Sequence, residues 1–452
     1  MNPKQGKPSV SPARRAAFDI LRRVEAEGAY ASALVAALPQ SNLSREDRSL
    51  AQEIALGVLR WQRSLDYFIE RYSRRPVKRI DLPVLISLRM GIYQLRHLTR
   101  VPQSAAVNES VNLVRIARAA SASGMVNAVL RNAARHVGEA AGAGIDDDAE
   151  RASVEVSHPL WMLERWAVCM GEPESRALAL ANNEPPRAAF RVNTLRATAD
   201  EVIAQLLDKG LTARPSEYVP GAFVVEGGPA SAITQAVERG LIYLQDEASQ
   251  LVSLLLEPNS GERILDLCAA PGSKSSHMAA LTEDDAWVVA CDIHPHRLAT
   301  LAATCRRLGV DSVDAVALDA TGEMPFSDGA QKFDRVLIDA PCSGTGTLRR
   351  NPEIKWRLVP DDIERLAEVQ SRLLERGASM LASGGRLVYS TCSIEPEENE
   401  GVIRRFIESG APFRLLRPRA HAGLITAEGF LRTFPHRHGT DGFFAASLEK
   451  IR

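Results

Sequence analysis

The 452-residue sequence lacks the patterns that define several protein classes. None of its six cysteines forms a C-x-x-C pair, which argues against a disulfide framework and a zinc site, and no set of histidines and carboxylates completes another metal site. No uncharged apolar run is long enough to span a bilayer, and the basic first residues lack the apolar core of a secretory signal. The sequence therefore predicts a cytoplasmic protein without a metal and without a membrane partner.

The sequence has almost no net charge, but its charges are unevenly distributed. Residues 1–140 contain 22 Lys and Arg against 11 Asp and Glu, whereas the remainder contains 33 against 45. The densest basic cluster, "RYSRRPVKRI", has cations from Arg71 to Arg79 and, taken alone, is typical of a solvated helix end. The excess over the whole of residues 1–140 instead favours a polyanionic partner, RNA or DNA.

Hydrophobic periodicity divides the front of the chain into three regions. From about Ser11 to Val137, apolar residues recur at spacings of three and four, as in "ARRAAFDILRRVEAE", and we predict an all-helical domain over 1–140. The glycine-rich and acidic stretch "GEAAGAGIDDDAE" predicts a linker over 141–155. Short mixed helical and strand patterns then predict a small α+β subdomain over 156–240.

From Leu241 onward, apolar β-rich runs alternate with amphipathic helical runs. The runs predicted as strands are "ERILDLCAA", "AWVVACDI", "VDAVALDA", "DRVLIDAP" and "GRLVYSTCS". This alternation predicts a doubly wound, mostly parallel, Rossmann-like α/β sheet with helices on both faces, and continuous apolar strands fit a sheet that is buried on both sides. Residues 241–452 are therefore the predicted α/β domain of a multidomain chain.

An acidic residue, a cysteine or a tight turn follows each of the five predicted strands. In doubly wound sheets, ligands bind outside the carboxyl ends of the strands, so these positions form one predicted site. They are Cys268, Ala269, Ala270, Pro271 and Gly272 after the first strand, Asp292 after the second, Asp319 after the third, Asp339 and Cys342 after the fourth, and Cys392 after the fifth. Any one position is weak evidence, but five successive strands with such residues at one edge indicate a site.

The acids at this edge indicate the kind of ligand. The first turn, "DLCAAPGSKS", has one glycine instead of G-x-G-x-x-G, which disfavours a nicotinamide or flavin oxidoreductase. Asp292 is placed to accept hydrogen bonds from ribose hydroxyls, and Asp319 could accept one from an adenine amine. A nucleoside site without a phosphate loop suggests S-adenosylmethionine as the cofactor. The alternative is that Asp292 and Asp319 each cap a following helix.

Lys274 lies where a cation needs an anionic neighbour. It falls in the first turn of a predicted helix, and a cation there opposes the helix dipole. The candidate partners are Asp339 and the carboxylate of the cofactor. The alternative is a lysine side chain that simply reaches solvent.

Two of the cysteines are candidates for nucleophilic catalysis. Three others fit ordinary core packing: Cys169, Cys291 and Cys305. Cys342 lies in the glycine-rich loop "DAPCSGTG", and Cys392 precedes a helix start. A thiolate, which a helix N-terminus favours, can add to C6 of cytosine and make C5 nucleophilic enough to accept a methyl group. An acid such as Asp339 at N3 would favour the addition, and a base must afterwards remove the C5 proton so that the thiol leaves.

Four motifs resemble those of the two-cysteine RNA 5-methylcytosine methyltransferases. They are "LDLCAAPGSKSSHMA", "IDAPCSGTGTLRRNPEIKW", "YSTCSIEPEENE" and "FPHRHGTDGFFAASLEK". The helical front, with "REDRSLAQEIALGVLRW" and "GMVNAVLRNAARH", is similar to the NusB-like RNA-binding domain. This pairing of domains occurs in the B-type small-subunit ribosomal RNA cytosine-C5 methyltransferases, and the resemblance covers nearly the whole chain.

The resemblance implies a role for each group of site residues. It implies that Cys392 attacks C6 and that Cys342 assists product release. The implied S-adenosylmethionine contacts are Cys268, Ala269, Ala270, Pro271, Gly272, Ser273, Lys274, Asp292, Asp319 and Asp339. The implied substrate is an unstacked cytosine of small-subunit (16S) ribosomal RNA; DNA is not expected, and nothing requires more than a monomer. The family turn usually reads A-P-G-G-K-T, whereas this chain has Ser273 and Ser275.

Three alternatives stay open. In DNA cytosine methyltransferases the cysteine after proline is the nucleophile, which would make Cys342 the attacking thiol, although the second thiol, Cys392, favours an RNA enzyme. Transfer RNA could be the substrate instead of ribosomal RNA. A non-catalytic RNA-binding assembly factor that kept the fold is the third alternative, but such a protein would be expected to have lost some of these acids and thiols.

Overall fold

The computed structural model describes residues 9–38, 42–326 and 332–451, which form two compact units. The first, the helical unit, contains the described chain up to Pro185 together with Leu348–Arg357. The second, the sheet unit, contains the described parts of Pro186–Thr347 and Leu358–Arg452. None of the described helices is both long and apolar enough to cross a membrane.

The helical unit forms from segments whose apolar residues repeat every three or four positions. Its first ten helices are α1 (Pro12–Glu27), α2 (Ala31–Ala36), α3 (Arg45–Arg60), α4 (Gln62–Ser73), α5 (Leu82–His97), α6 (Gln103–Ile116), α7 (Ser123–Arg135), α8 (Asp148–Val156), α9 (Leu160–Met170) and α10 (Glu172–Asn182). Phe18, Ile54, Phe68, Leu88 and Leu130, from five of these helices, are buried in one shared core. The prediction of an all-helical front is confirmed.

The segment over 141–155, which composition indicates as a linker, contains most of helix α8. The side chain of Asp147 accepts a hydrogen bond from the Glu150 N–H at 2.8 Å and caps the first turn. Val154 and Val156 are buried, which supplies the packing that a short helix needs. The acidic run in this segment therefore starts a helix. The domain ranges 1–140, 141–155, 156–240 and 241–452 themselves stay a prediction.

The sheet unit begins with a four-stranded antiparallel sheet in the order β2-β3-β1-β4. Its elements are β1 (Ala189–Val192), α11 (Ala199–Asp208), β2 (Thr212–Pro215), β3 (Ala222–Gly227), α12 (Ala230–Glu238) and β4 (Ile242–Leu244). Phe190 of β1 and Ile242 of β4 pack with Leu206 of α11 in a small core. This arrangement confirms the predicted small α+β subdomain.

The larger sheet has eight strands, with the order β10-β12-β9-β8-β5-β6-β7 and β11 paired to β12. The helices and strands of this part of the chain are α13 (Glu247–Leu256), β5 (Arg263–Asp266), α14 (Ser275–Leu281), β6 (Trp287–Asp292), α15 (Pro295–Leu308), β7 (Val313–Ala317), β8 (Phe333–Asp339), α16 (Ile354–Arg357), α17 (Pro360–Met380), β9 (Leu381–Thr391), α18 (Glu400–Glu408), β10 (Phe413–Leu416), β11 (Leu431–Arg432), α19 (Pro435–His438) and β12 (Phe444–Lys450). Of these, α16 belongs to the helical unit. Strands β5 to β9 are parallel, and β10, β11 and β12 join by antiparallel pairing.

Helices cover both faces of this sheet, as the continuous apolar strands predict. On β8, Val336 packs in the core that contains Leu374 of α17, whereas the next residue, Leu337, packs in the core that contains Leu251 of α13. Successive strand residues point to opposite faces, so both faces must be apolar when both are covered. The predicted mostly parallel, doubly wound α/β fold is confirmed, and its antiparallel edge strands are an addition to the prediction.

Residues 348–357 follow the loop after β8 in sequence but fold as part of the helical unit. The ammonium group of Lys355 is buried and donates hydrogen bonds to the carbonyl oxygens of Arg60 at 2.8 Å and Ser157 at 2.9 Å, and to Asn183 Oδ1 at 3.0 Å. Burial lowers the pKa of Lys355, and the three oxygens replace the water that a buried amine loses. Nothing in the periodicity of "LRRNPEIKWR" predicts this placement.

Candidate active site

The carboxyl ends of the parallel strands border a cavity of about 350 Å³ in the sheet unit. Seven residues of the predicted site line it: Cys268, Ala270, Asp292, Asp319, Asp339, Cys342 and Cys392. Part of its wall is apolar and comes from Val369 and Leu373 of α17. The structure thus brings together groups from the ends of all five strands that the sequence indicates.

The turn between β5 and α14 follows the strand closely and packs against α15. Five predicted cofactor residues in it do not line the cavity: Ala269, Pro271, Gly272, Ser273 and Lys274. Gly272 has a positive φ of 96°, and a Cβ atom there would lie 2.9 Å from Leu301 Cγ, so this position requires glycine. The Ser275 hydroxyl, in the part of the turn where the chain departs from the family pattern, donates a hydrogen bond to Asp266 Oδ2 at 2.7 Å.

Lys274 is buried and pairs with Asp339, one of the two anionic partners expected for it. Its Nζ atom lies 2.6 Å from Asp339 Oδ2, while the other carboxylate oxygen accepts a hydrogen bond from the Ser390 hydroxyl at 2.8 Å. Burial opposes the charge of Lys274, but attraction to Asp339 raises its pKa above the ordinary value. Lys274 is therefore a buried cation next to the cavity, and the expectation that it only reaches solvent is excluded.

Asp292 and Asp319 lie at the cavity but also have local partners. Asp292 Oδ1 accepts a hydrogen bond from the His294 N–H at 2.9 Å, just before α15, and Oδ2 lies 3.3 Å from Arg297 Nη1. Asp319 Oδ1 accepts from both the N–H and the hydroxyl of Thr321, and these bonds lower its pKa. Neither is the N-cap of a helix, since the N-cap of α15 is His294 and no helix follows Asp319 among the described residues before β8. Both carboxylates are instead preoriented by local contacts and line the cavity.

Cys342 and Cys392 approach each other closely at the edge of the cavity. Their Sγ atoms are 3.3 Å apart, although one follows β8 and the other follows β9. The hydrogen bond to Cys392, together with burial, raises the pKa of Cys342 well above its ordinary value. Cys342 is therefore held as a protonated thiol beside Cys392, and the two thiols form a pair rather than separate core filler.

The loops that carry the two thiols are joined by backbone contacts. The Gly346 N–H donates to the Cys392 carbonyl at 2.9 Å, and the Gly442 N–H donates to the Gly346 carbonyl at 2.8 Å. A Cβ atom on Gly346 would lie 1.9 Å from the Gly442 carbonyl oxygen and 2.8 Å from that of Cys392. Glycine at this position lets three segments of backbone meet next to the thiols.

We expect Gly346→Ala to destabilise the sheet unit strongly. The new methyl group would overlap backbone atoms, and backbone atoms cannot move aside as the end of a flexible side chain can. The expected loss of unfolding free energy is about 2–3 kcal/mol or more. Differential scanning calorimetry would measure it, with Gly124→Ala as the control because a Cβ atom at Gly124 meets nothing within 4 Å. An unchanged melting temperature for Gly346→Ala would contradict this close approach.

Several polar residues around the thiols were not predicted from the sequence. Glu398, Gln370 and Asn399 are buried and bind the cysteine loops through hydrogen bonds. The run "EPEENE", which begins three residues after Cys392, predicts only the start of a helix, and its density of acids is the one available signal. Among the described residues, no three His, Cys, Asp or Glu side chains are grouped in a way that could hold a metal ion.

Asp266, at the end of β5, has an unusual pKa. It is fully buried, and burial raises the pKa of its carboxyl group to about 7, with the nearby charge of Asp339 adding to this effect. The unfolded chain ionises this group near pH 4, whereas the folded chain keeps the proton to about pH 7. The folded state therefore binds more protons in this window, and its stability falls as the pH rises from about 4 to about 7.

We expect Asp266→Asn to flatten this part of the stability profile. Urea unfolding at a series of pH values between about 4 and 7 would measure the slope in the wild type and the variant. The control is Asp208→Asn, which removes an exposed carboxyl from the same unit. If Asp266→Asn and the wild type lose stability equally over this range, Asp266 does not hold its proton in the folded protein.

Three family models match consecutive parts of the chain. The description "16S rRNA methyltransferase RsmB/F" applies to residues 253–449, which include the cavity and both thiols. The NusB family matches residues 11–135, and the ferredoxin-like domain of RsmF/B-like methyltransferases matches residues 158–231. Together these matches cover most of both compact units.

Relatives match over nearly the full length. The chain is 34% identical over 443 residues to the probable ribosomal RNA small subunit methyltransferase B of Bacillus subtilis, covering 97% of this chain and 98% of the relative. It is 37% identical over 448 residues to the protein of the same name from Synechocystis, covering 97% and 99%. The crystal structure of PH0851 is similar with a TM-score of 0.84 and 29% identity, over 98% of this chain and 100% of that one. The chain therefore belongs to the RsmB/F family of 16S ribosomal RNA methyltransferases.

Proposed function

We propose that this protein transfers a methyl group from S-adenosylmethionine to C5 of a cytosine in small-subunit ribosomal RNA, through a covalent bond between Cys392 and C6. The observation that carries the proposal is the thiol pair, with Sγ atoms 3.3 Å apart at the edge of the cavity. When an amine or a hydroxyl of the substrate attacks the methyl group directly, the enzyme needs no thiol, and two adjacent thiols would have no role. The relatives named as small-subunit ribosomal RNA methyltransferases supply the substrate class.

The donor groups around the cavity fit a nucleoside cofactor. Asp292 would hold the ribose hydroxyls and Asp319 the adenine amine, and both carboxylates line the cavity. Val369 and Leu373 provide apolar wall for the adenine ring. When bound, S-adenosylmethionine supplies an electrophilic methyl group. The single glycine of the β5 turn leaves no phosphate cradle, which suits a cofactor without a phosphate.

The residues of the chain have distinct parts in the proposed reaction. The Cys392 thiolate adds to C6, and the electron pair of the C5–C6 double bond becomes available at C5. Asp339, whose Oδ2 lies 2.6 Å from Lys274 Nζ, is the acid that hydrogen-bonds the cytosine at N3 and favours this addition. After C5 has taken the methyl group, water or another base takes the C5 proton and the C–H electrons re-form the C5–C6 double bond. The electrons of the S–C6 bond return to Cys392, which leaves as a thiolate. Cys342 assists this last step from its position beside Cys392.

The helical unit is proposed to bind the phosphate backbone. Residues 1–140 carry twice as many Lys and Arg as Asp and Glu, at 22 against 11. In the basic cluster, Arg74, Arg75, Lys78 and Arg79 are exposed, whereas Arg71 pairs with Glu139. Exposed cations release counterions from RNA on binding, so this contact orients the substrate without reading its sequence.

The test is methylation of defined RNAs with S-adenosylmethionine labelled in its methyl group. We expect label in small-subunit ribosomal RNA, recovered as 5-methylcytidine after digestion to nucleosides. Transfer RNA and large-subunit ribosomal RNA serve as comparison substrates. Label on a different base would refute the cytosine-C5 chemistry, label only in transfer RNA would refute the substrate, and no label in any RNA would favour the non-catalytic alternative.

A further inference from the structure

A buried carboxylate connects the two loops that carry the thiols. Glu398 lies in a short 3-10 turn beyond β9 and is fully buried. Its Oε1 atom accepts hydrogen bonds from the Ser343 N–H at 2.8 Å and from Gln370 Nε2 at 2.9 Å. Its Oε2 atom accepts from the hydroxyls of Ser343 and Ser393. One side chain thus makes four hydrogen bonds to three residues.

Two of these partners directly follow the thiols in sequence. Ser343 follows Cys342, and Ser393 follows Cys392, and the two serine hydroxyl oxygens are 3.0 Å apart. The glutamine that binds Glu398 also donates to the carbonyl of Pro341 at 2.9 Å, so Cys342 is fixed on both sides. The positions of both sulfur atoms therefore depend on contacts that converge on one carboxylate.

The burial of Glu398 has a free-energy cost that these contacts offset. A carboxylate removed from water is strongly destabilising unless hydrogen bonds replace its hydration. Burial raises the pKa of Glu398, while the bonds from Ser343, Ser393 and Gln370 act in the opposite direction. Because all of its donors come from the cysteine loops and from the helix behind them, the stabilisation is lost if either loop moves away. All four hydrogen bonds to Glu398 therefore form only when both loops keep these positions.

We propose that Glu398 is a positioning residue that sets the separation of the Cys342 and Cys392 sulfur atoms. The inference rests on the proposed function, because a two-thiol reaction is what gives this separation its use. While one sulfur is bonded to C6, the other must stay beside the same ring, and such geometry must be held to within roughly 0.5 Å. Glu398 touches neither sulfur in this role and acts through Ser343 and Ser393.

The first test measures how readily the two thiols of the full-length protein form a disulfide with diamide. In this reaction each thiol loses its proton, the two sulfurs together lose two electrons to form the S–S bond, and diamide takes up both electrons and both protons as the hydrazine. Peptide mapping identifies the Cys342–Cys392 bond, and the rate reports the effective concentration of one thiol at the other. Methyl transfer is not needed for this readout.

We expect Glu398→Met, which keeps the length of the side chain without its acceptors, to slow closure at least about tenfold. Glu398→Gln is the conservative variant, because an amide can reach the same four partners if the serine hydroxyls accept instead of donate. Its rate should stay within about threefold of the wild type. Glu368→Gln, which removes an exposed carboxyl from α17, is the control and should leave the rate unchanged.

The second test separates kcat from KM in methylation assays. Glu398→Met should lower kcat about tenfold or more and leave the KM for S-adenosylmethionine unchanged, since it touches none of the proposed cofactor residues. If the wild type does not methylate RNA, the proposed function fails, while the diamide rates still decide the role of Glu398. Closure at the wild-type rate in folded Glu398→Met overturns the proposal.

If Glu398→Met does not fold, a double variant that perturbs the network less can replace it. The double variant Ser343→Ala and Ser393→Ala removes the two hydroxyl donors and leaves the carboxylate with its bonds from the Ser343 N–H and Gln370. We expect this variant to close the disulfide about threefold to tenfold more slowly than the wild type. An unchanged rate would show that these contacts do not position the thiols and would overturn the proposal equally.

Discussion

Cys392→Ala is expected to abolish methyl transfer and to form no covalent complex with RNA. Without the sulfur that adds to C6, cytosine C5 stays too weakly nucleophilic to accept a methyl group, so the rate should fall by roughly 10⁴-fold or more. The measurement is a pair of assays on the same samples: incorporation of labelled methyl groups into small-subunit ribosomal RNA, and a denaturing gel that reveals any protein band slowed by bound RNA.

The matched control is Cys169→Ala, which removes an exposed cysteine of the helical unit outside the cavity. It should methylate RNA at the wild-type rate. A slowed, RNase-sensitive band in Cys392→Ala would reverse the assignment. It would make Cys342 the nucleophile, as in the DNA enzymes whose Pro-Cys cysteine attacks the ring.

Cys342→Ala is expected to behave in the opposite way and to trap the covalent complex. The nucleophile is still present, so addition and methyl transfer proceed, but release lacks the thiol that lies 3.3 Å from Cys392. Turnover should fall by about 10²–10⁴-fold, the range of a lost acid–base group, while most of the enzyme becomes attached to RNA. The denaturing gel should show a band that needs S-adenosylmethionine and disappears after RNase treatment.

The double variant Cys342→Ala and Cys392→Ala is the control for this band. If the trapped complex is a bond between Cys392 and RNA, the double variant forms none. A band that persists in the double variant would place the attachment at another residue. Normal turnover in Cys342→Ala would show that release needs no second thiol, and the close approach of the two sulfurs would then need another explanation.

The raised pKa of Cys342 is part of the reason for assigning the two roles in this order. A thiol that burial and a hydrogen bond keep protonated is a poor nucleophile, since the thiolate is the attacking form. It can instead donate its hydrogen to the neighbouring sulfur. Beyond this, the order of the two roles rests on the resemblance in sequence.

Much of the fold follows from periodicity in the sequence. The apolar repeat around Phe18 and Ile54 predicts helices because one stripe must be buried, and the continuous apolar strand containing Leu337 predicts a sheet covered on both faces. The partner of Lys274 was also among those predicted, because a cation in the first turn of a helix needs an anion nearby and Asp339 follows an adjacent strand. These inferences depend on local pattern and on the rule that parallel strand ends meet at one edge.

Other features were decided only by packing between distant segments. The sequence by itself determined that two cysteines follow parallel strands, but the 3.3 Å separation of their sulfurs depends on Gly346 and on contacts of Glu398 from a turn that the acidic run did not reveal. Likewise, no local pattern places Lys355 among three oxygens of the helical unit. Periodicity identifies which face of an element is buried, whereas the partner of a buried polar group is fixed by geometry that only the folded chain provides.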